Sequence, residues 1–247
     1  LAVSALQAAA ADYFYALRKS LIRQIGDAIG KASKVSEEIE RKVQRILDDL
    51  DFEGYESFAD IVRSELETLF ADAAGEAATQ VGYSLGVDAF ALANKAALKY
   101  ARDRAAEMVG MKWVGDEMVP NPNAKWQISD GTREMLRSDV RDAMADGWSN
   151  DRLAQELADN YAFSDQRAET VARTETARAD VQGSLEGYRA AGVEKKRWLT
   201  APGCCDECQD LDGEEVGIDD QFPNDGGDGA PLHPNCRCDV LPVLEEE

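Results

Sequence analysis

The residues of this chain best suited to chemistry are five cysteines and a single histidine, and all six fall in its last third. Two residues separate Cys205 from Cys208, and the same spacing returns in His233-Pro234-Asn235-Cys236, with Cys238 just beyond. Thiolate and imidazole are the ligands zinc prefers, and four of them close a tetrahedral shell. Paired knuckles joined by a loop of this length suit a small zinc module. The spacing therefore predicts a structural zinc site built from Cys205, Cys208, Cys236 and either His233 or Cys238. Cys204 is the spare, because Cys204-x3-Cys208 makes a poorer knuckle. The competing readings are free thiols, disulfides, or a redox pair at Cys205 and Cys208, and the downstream cysteines favour a metal.

A second polar feature precedes the cysteines. Ser164 caps a helix predicted to run to about Ala190, where Gly192 stops it. Extending its inner face through Val171, Val181, Leu185 and Tyr188 puts Thr174, Glu175 and Arg178 on that face. Arg173 and Glu169 point the other way, at the spacing of an i, i+4 pair. A buried charge must be paired. Arg173, Thr174, Glu175 and Arg178 are thus a candidate polar anchor that fixes the helix against the zinc module or a partner; the competing reading is a partly solvated pair at a helix end or crevice. As a catalytic carboxylate, Glu175 would need a second carboxylate or a histidine positioned with it, and the single histidine, His233, reads as a ligand. No P-loop, dinucleotide fingerprint, zinc-deaminase signature or EF-hand spacing is present, and Asp219–Gly229 reads as a solvated loop.

The elements that position these residues are mostly helical. Apolar stripes run through Phe14, Leu17, Leu21, Ile25 and Ala28, then through Ile39, Val43, Ile46, Leu47 and Leu50 behind a Ser36 cap. A third stripe holds Phe58, Ile61, Val62, Leu66, Leu69, Phe70 and Ala73. A fourth holds Val81, Leu85, Phe90, Ala97, Leu98, Ala101, Ala105 and Met108. Gly82 and Gly86 stand four apart, a spacing that either lets another helix approach closely or is simply tolerated. Lys112-Trp113-Val114 and Glu117-Met118-Val119 flank Gly115-Asp116, a hairpin with a type II′ turn. Pro120-Asn121-Pro122-Asn123 is a linker. Ser129 is expected to cap the next helix, Gly147 to end it and Ser149 to cap a short one. Strands follow at Lys195–Thr200, Glu214–Gly217 and Asp239–Val243. Alternation puts Trp198 and Thr200 on one face, with Trp198 as a core anchor for the small sheet.

From about Ile128 to Val243 the chain carries, in order, Gly147-Trp148-Ser149, Arg167-Ala168-Glu169, Ala172-Arg173-Thr174-Glu175-Thr176-Ala177-Arg178, Gly187-Tyr188-Arg189-Ala190-Ala191-Gly192-Val193 and Trp198-x-Thr200. Cys205-x2-Cys208, Leu211-Asp212-Gly213 and His233-Pro234-Asn235-Cys236-Arg237-Cys238 follow. In this order the pieces resemble the phage Mu F-like head morphogenesis family, the minor capsid proteins of tailed bacteriophages. The resemblance implies a protein that acts during head assembly, near the portal and the packaged genome, with the portal protein as partner and capsid or scaffold protein as further ones. It places the protein in the virion head after assembly in the host cytoplasm, and it implies no known reaction. Toxin-like domains follow this module in some related proteins, and none is expected within these residues.

Composition bounds the rest. The net charge is −21, from 27 basic and 48 acidic residues. Such a chain repels bare nucleic acid at long range, so packaged DNA is not favoured as a partner. Arg237 is the only basic residue after Arg197, against a base-reading zinc finger. No stretch is apolar enough for a membrane span, and the start, Leu1-Ala2-Val3-Ser4, gives no sign of a signal peptide. The reading is a mostly α (α+β) protein: a helical region over 1–110, a hairpin and linker over 111–126, and a Mu F-like domain over 127–247 whose zinc module spans 204–238. The expected role is non-enzymatic, as a portal-associated minor capsid protein. The alternative is a zinc-dependent hydrolase acting on nucleic acid or cell wall.

Overall fold

The computed structural model describes residues 2–29, 34–49, 55–83, 87–124 and 127–244. It is mostly helical, with a small sheet near the C-terminus. The helices are α1 (Ala2–Ile29), α2 (Glu37–Asp48), α3 (Tyr55–Gln80), α4 (Val87–Met108), α5 (Ile128–Asp146), α6 (Asn150–Asp159), α7 (Asp165–Ala190) and the short α8 (Asp206–Gln209). A hairpin, β1 (Met111–Val114) and β2 (Glu117–Pro120), follows α4. Its turn has Gly115 at φ 63° with no positive φ at Asp116, as type II′ geometry requires. Strands β3 (Lys195–Leu199), β4 (Glu215–Gly217) and β5 (Asp239–Val243) form an antiparallel sheet in the order β4-β3-β5. Among the described residues no helix is long and apolar enough to cross a membrane.

The chain divides into two compact units that do not follow chain order. A helical unit comprises Gln7–Ile61 and Asp103–Glu169; a sheet unit comprises Leu1–Leu6, Val62–Arg102 and Thr170–Glu247. In the helical unit Leu17, Leu21, Ile25, Val43 and Leu47 pack with Leu136, Val140, Leu153 and Leu157. Capping follows the sequence at three helices. Ser36 accepts from the Ile39 amide, Ser149 from Arg152 and Ser164 from Arg167. Gly147 ends α5 in the left-handed region, at φ 66°. At α5 the expected cap is displaced. Gln127 holds the cap position, and Ser129 lies inside the helix, buried, its hydroxyl donating to Gln127 Oε1.

Arg167 is the polar centre of this unit. It is 7% exposed and donates to Thr132 Oγ1 and the Ala162 carbonyl at 2.7 Å each, and to the Ile128 carbonyl at 3.0 Å. Its guanidinium lies over the Phe14 ring, 4.7 Å from the centroid. Burial lowers its pKa to about 10, so it stays protonated at neutral pH.

In the sheet unit the close helix approach falls at two glycines that periodicity did not single out. A Cβ on Gly183 would collide with the Phe70 carbonyl, and one on Gly187 with the Ala74 carbonyl. These two glycines, one turn apart on α7, let it lie directly against α3. Gly82 plays no such part, because it sits in a turn beyond α3 at φ 77° with nothing near its missing Cβ. Ile61 and Leu98 depart from their stripes, at 46% and 50% exposed. Gly30, Leu50, the break at Asp51–Gly54, Leu85 and Gly86 lie outside the described residues, as do the side chains of Ala28 and Phe90. Gly187→Val should destabilise the sheet unit by about 1–3 kcal/mol, since a backbone carbonyl cannot yield as a side chain can. Urea unfolding read by far-UV circular dichroism checks this.

Candidate metal centre

The sheet unit builds the site from two knuckles set against α7. Strand β3 delivers the first. Trp198 is 1% exposed and meets Phe222 edge-on, with ring centroids 5.3 Å apart. The chain then turns through Thr200, whose amide and hydroxyl both donate to Asp212 Oδ1, at 3.1 and 2.7 Å. Those bonds close the loop that carries the first cysteines. Cys205 occupies the N-cap position of α8, and Cys208 sits within α8, fully buried with Leu211 and Trp198.

The second knuckle is the turn His233–Cys236, closed by the Cys236 amide donating to the His233 carbonyl. Its Asn235 adopts φ 61°, a left-handed conformation that asparagine tolerates. Two threonines of α7, one turn apart, hold that residue. The Asn235 amide donates to Thr174 Oγ1 at 3.0 Å, and its side chain donates to Thr170 Oγ1 at 3.2 Å. Thr174 in turn donates to the Thr170 carbonyl at 2.7 Å.

The two knuckles bring their ligand atoms together. Cys205, Cys208 and His233 form one group of atoms within 4.8 Å of one another, and Cys208, Cys236 and Cys238 form a second. Cys208 is common to both. His233 Nε2 is 3.3 Å from Cys205 Sγ and 3.4 Å from Cys208 Sγ, and Cys208 Sγ is 3.7 Å from Cys236 Sγ. A tetrahedral ion bonded to sulfur at ~2.3 Å and to nitrogen at ~2.0 Å sets thiolates ~3.8 Å apart and thiolate–imidazole pairs ~3.5 Å apart. All three observed separations lie within ~0.2 Å of those edges.

The imidazole is turned the right way. His233 Nδ1 lies 2.9 Å from the Pro234 carbonyl, which can only accept, so Nδ1 carries the proton and Nε2 presents its lone pair to the sulfurs. The thiols divide in two. Backbone donation from Cys208 draws the Cys205 pKa down. Burial pushes Cys236 up, but backbone donation from Cys238 and Leu232 outweighs it and the net shift is downward. Burial drives the Cys208 and Cys238 thiols up, and neighbouring sulfurs add to it. Crowded sulfurs with two of them biased toward thiolate are compatible with a cation among them. The donor set and its spacing fit a metal ion. Cys204 stands apart, half-buried, with its thiol 3.6 Å from Gln209 Oε1.

The polar centre of α7 is buried as its periodicity predicts: Thr174 and Glu175 are each 4% exposed, and Arg173 is exposed. Arg178 Nε is 3.9 Å from Glu175 Oε2. Beyond the knuckle, α7 and residues 235–239 enclose a cleft of about 770 Å³ lined by Arg173, Thr176, Asp180, Asn235, Arg237 and Asp239, with Cys236 and Cys238 in its wall. Burial raises the Asp180 pKa, with Asp239 and Glu76 adding to it.

Sequence reasoning missed three contributors. Asn235 was legible only as part of a motif and Thr170 was not singled out; a knuckle asparagine together with threonines at i and i+4 was the available signal. Lys196 is fully buried on the same face of the sheet as Trp198. It donates to the Asp228 carbonyl at 2.9 Å and lies 5.3 Å from the Phe222 ring centroid. A lysine on a short strand is ordinarily exposed, and here it anchors the Asp- and Gly-rich loop from within.

No curated protein and no solved structure matches the chain. A family model described as Phage Mu protein F like protein matches residues 134–241, from within α5 through both knuckles to β5. That match spans the two-knuckle cluster and the helix that holds it, so residues 134–241 of this chain are similar to the Phage Mu protein F like family.

Proposed function

We propose that the chain is a minor capsid protein of head morphogenesis that associates with the portal protein during head assembly and DNA packaging, and that its role is non-enzymatic. The family match over residues 134–241 carries this reading. In it, the helices of residues 1–110 meet the portal or capsid, and the protein resides inside the head near the portal. The acidic balance supports a protein partner over bare DNA, since −21 of net charge repels phosphate.

The metal in this reading is zinc, held by Cys205, Cys208, His233 and Cys236, with Cys238 as a fifth donor beside the set. Thr170 and Thr174 position the second knuckle through Asn235, so the polar centre of α7 serves the metal site as an anchor. Bound there, zinc neutralises the thiolates and adds folding free energy to a module with a small core of its own. A filled set of protein ligands leaves no position for a substrate, which favours a structural site over the hydrolase alternative.

Co-expression with the portal protein encoded beside it tests the assembly role. Native mass spectrometry should find a complex of defined stoichiometry. Two folded proteins that stay separate with zinc present would contradict it.

A further inference from the structure

The cleft beside the second knuckle is not used by the metal site, and its charges are laid out in a direction. The Thr174–Asn235 hydrogen bond fixes one end, and Asp180 and Asp239 interact at the other, so residues 235–239 run alongside α7 in the same sense. Arg173 therefore stands at the Asn235 end and Asp180 with Asp239 at the far end, with Arg237 between. Seven residues separate Arg173 from Asp180 on the helix, a rise of ~10 Å. Both arginines are exposed at the surface.

The neighbouring sheet edge is closed to strand addition. Trp198 exchanges its backbone bonds with the β4 side, accepting from Gly213 and donating to Glu214, so Val240 opposite it turns its own N–H and C=O outward. That N–H is taken by Asp239 Oδ1 at 2.7 Å. Pro242, the next outward residue, has no N–H. Backbone carbonyls remain there but no backbone donor does, so side chains must supply the donors to a ligand.

We propose that this cleft binds a peptide segment of a partner protein that carries one acidic and one basic side chain about 10 Å apart. The acidic side chain seats against Arg173 and Arg237, and the basic one against Asp180 and Asp239. A phosphate polymer matches the arginine end and is repelled by the carboxylate end. A purely basic segment matches only the carboxylates. The proposal needs the cleft alone and stands whether or not the portal is the partner.

The test is titration of the ¹⁵N-labelled full chain with three capped glycine-serine peptides: one bearing both Glu and Lys at that separation, one bearing Glu only and one bearing Lys only. The doubly charged peptide should move the amide signals of Ala177, Asp180 and residues 235–239. Losing both carboxylates in Asp180→Asn/Asp239→Asn should weaken it about tenfold, two modest ion pairs together. Asparagine keeps the oxygen that accepts from Val240, so an otherwise unchanged amide spectrum certifies the fold of the variant. Equal binding of all three peptides, no movement of the cleft signals, or stronger movement with an oligonucleotide would each overturn the proposal.

Discussion

Cys208→Ser should strip the protein of its metal and unfold the C-terminal module while most of the helical signal remains. Cys208 is the residue common to both sulfur groups, and it is also fully buried in the core that contains Trp198, Leu211 and Phe222. Structural zinc contributes on the order of 10–16 kcal/mol of apparent binding free energy at neutral pH, and where the site exists only in the folded state that energy is folding energy. A serine at this position offers zinc a poor ligand and leaves a hydroxyl in an apolar pocket. The expected readouts are absence of bound metal and a red shift of Trp198 fluorescence. Cys204→Ser should change neither, because Cys204 lies outside both groups. Cys238→Ser should keep the ion, since the proposed set is Cys205, Cys208, His233 and Cys236. A Cys208→Ser protein with full metal content and a buried Trp198 would refute the assignment.

The second large effect lies in the helical unit. Arg167→Met should destabilise that unit by about 3–5 kcal/mol, the range for removing one partner from a buried charged network. The Ala162 carbonyl is left without its donor, and Thr132 loses the proton it accepts. An orphaned buried acceptor alone costs about 1–3 kcal/mol. At ~2–4 °C per kcal/mol for a chain of this size, the midpoint should fall by roughly 10 °C. Arg167→Lys keeps the charge but brings one nitrogen where three bonds are needed, and should fall between. A Met variant as stable as the parent would mean that burying the guanidinium costs as much as its bonds return.

Much of this was legible in the sequence because it rests on local rules. Periodicity placed the inner faces of α1 and α2, and glycine and serine placed most helix ends. Cysteine spacing marked the two knuckles, and alternation placed Trp198 inside. What stayed hidden depends on distant packing. Gly183 and Gly187 read as ordinary helix glycines until α3 lies against them. Lys196 reads as an exposed strand lysine until the loop from Asp219 folds over it. Arg167 appeared only as part of a motif, since its three acceptors come from Ile128, Thr132 and Ala162. The choice between His233 and Cys238 was open in the sequence because spacing cannot orient a ring. His233 is the proposed ligand because the Pro234 carbonyl lies beside one ring nitrogen and two sulfurs lie near the other, while Cys238 stays grouped with Cys208 and Cys236.

X-ray absorption at the zinc edge, on protein purified without added metal and checked for metal content, tests the central assignment most directly. The account predicts one zinc per chain with three sulfur neighbours at ~2.3 Å and one nitrogen at ~2.0 Å. A shell of four sulfurs would replace His233 with Cys238, and a folded protein without stoichiometric metal would contradict the site altogether.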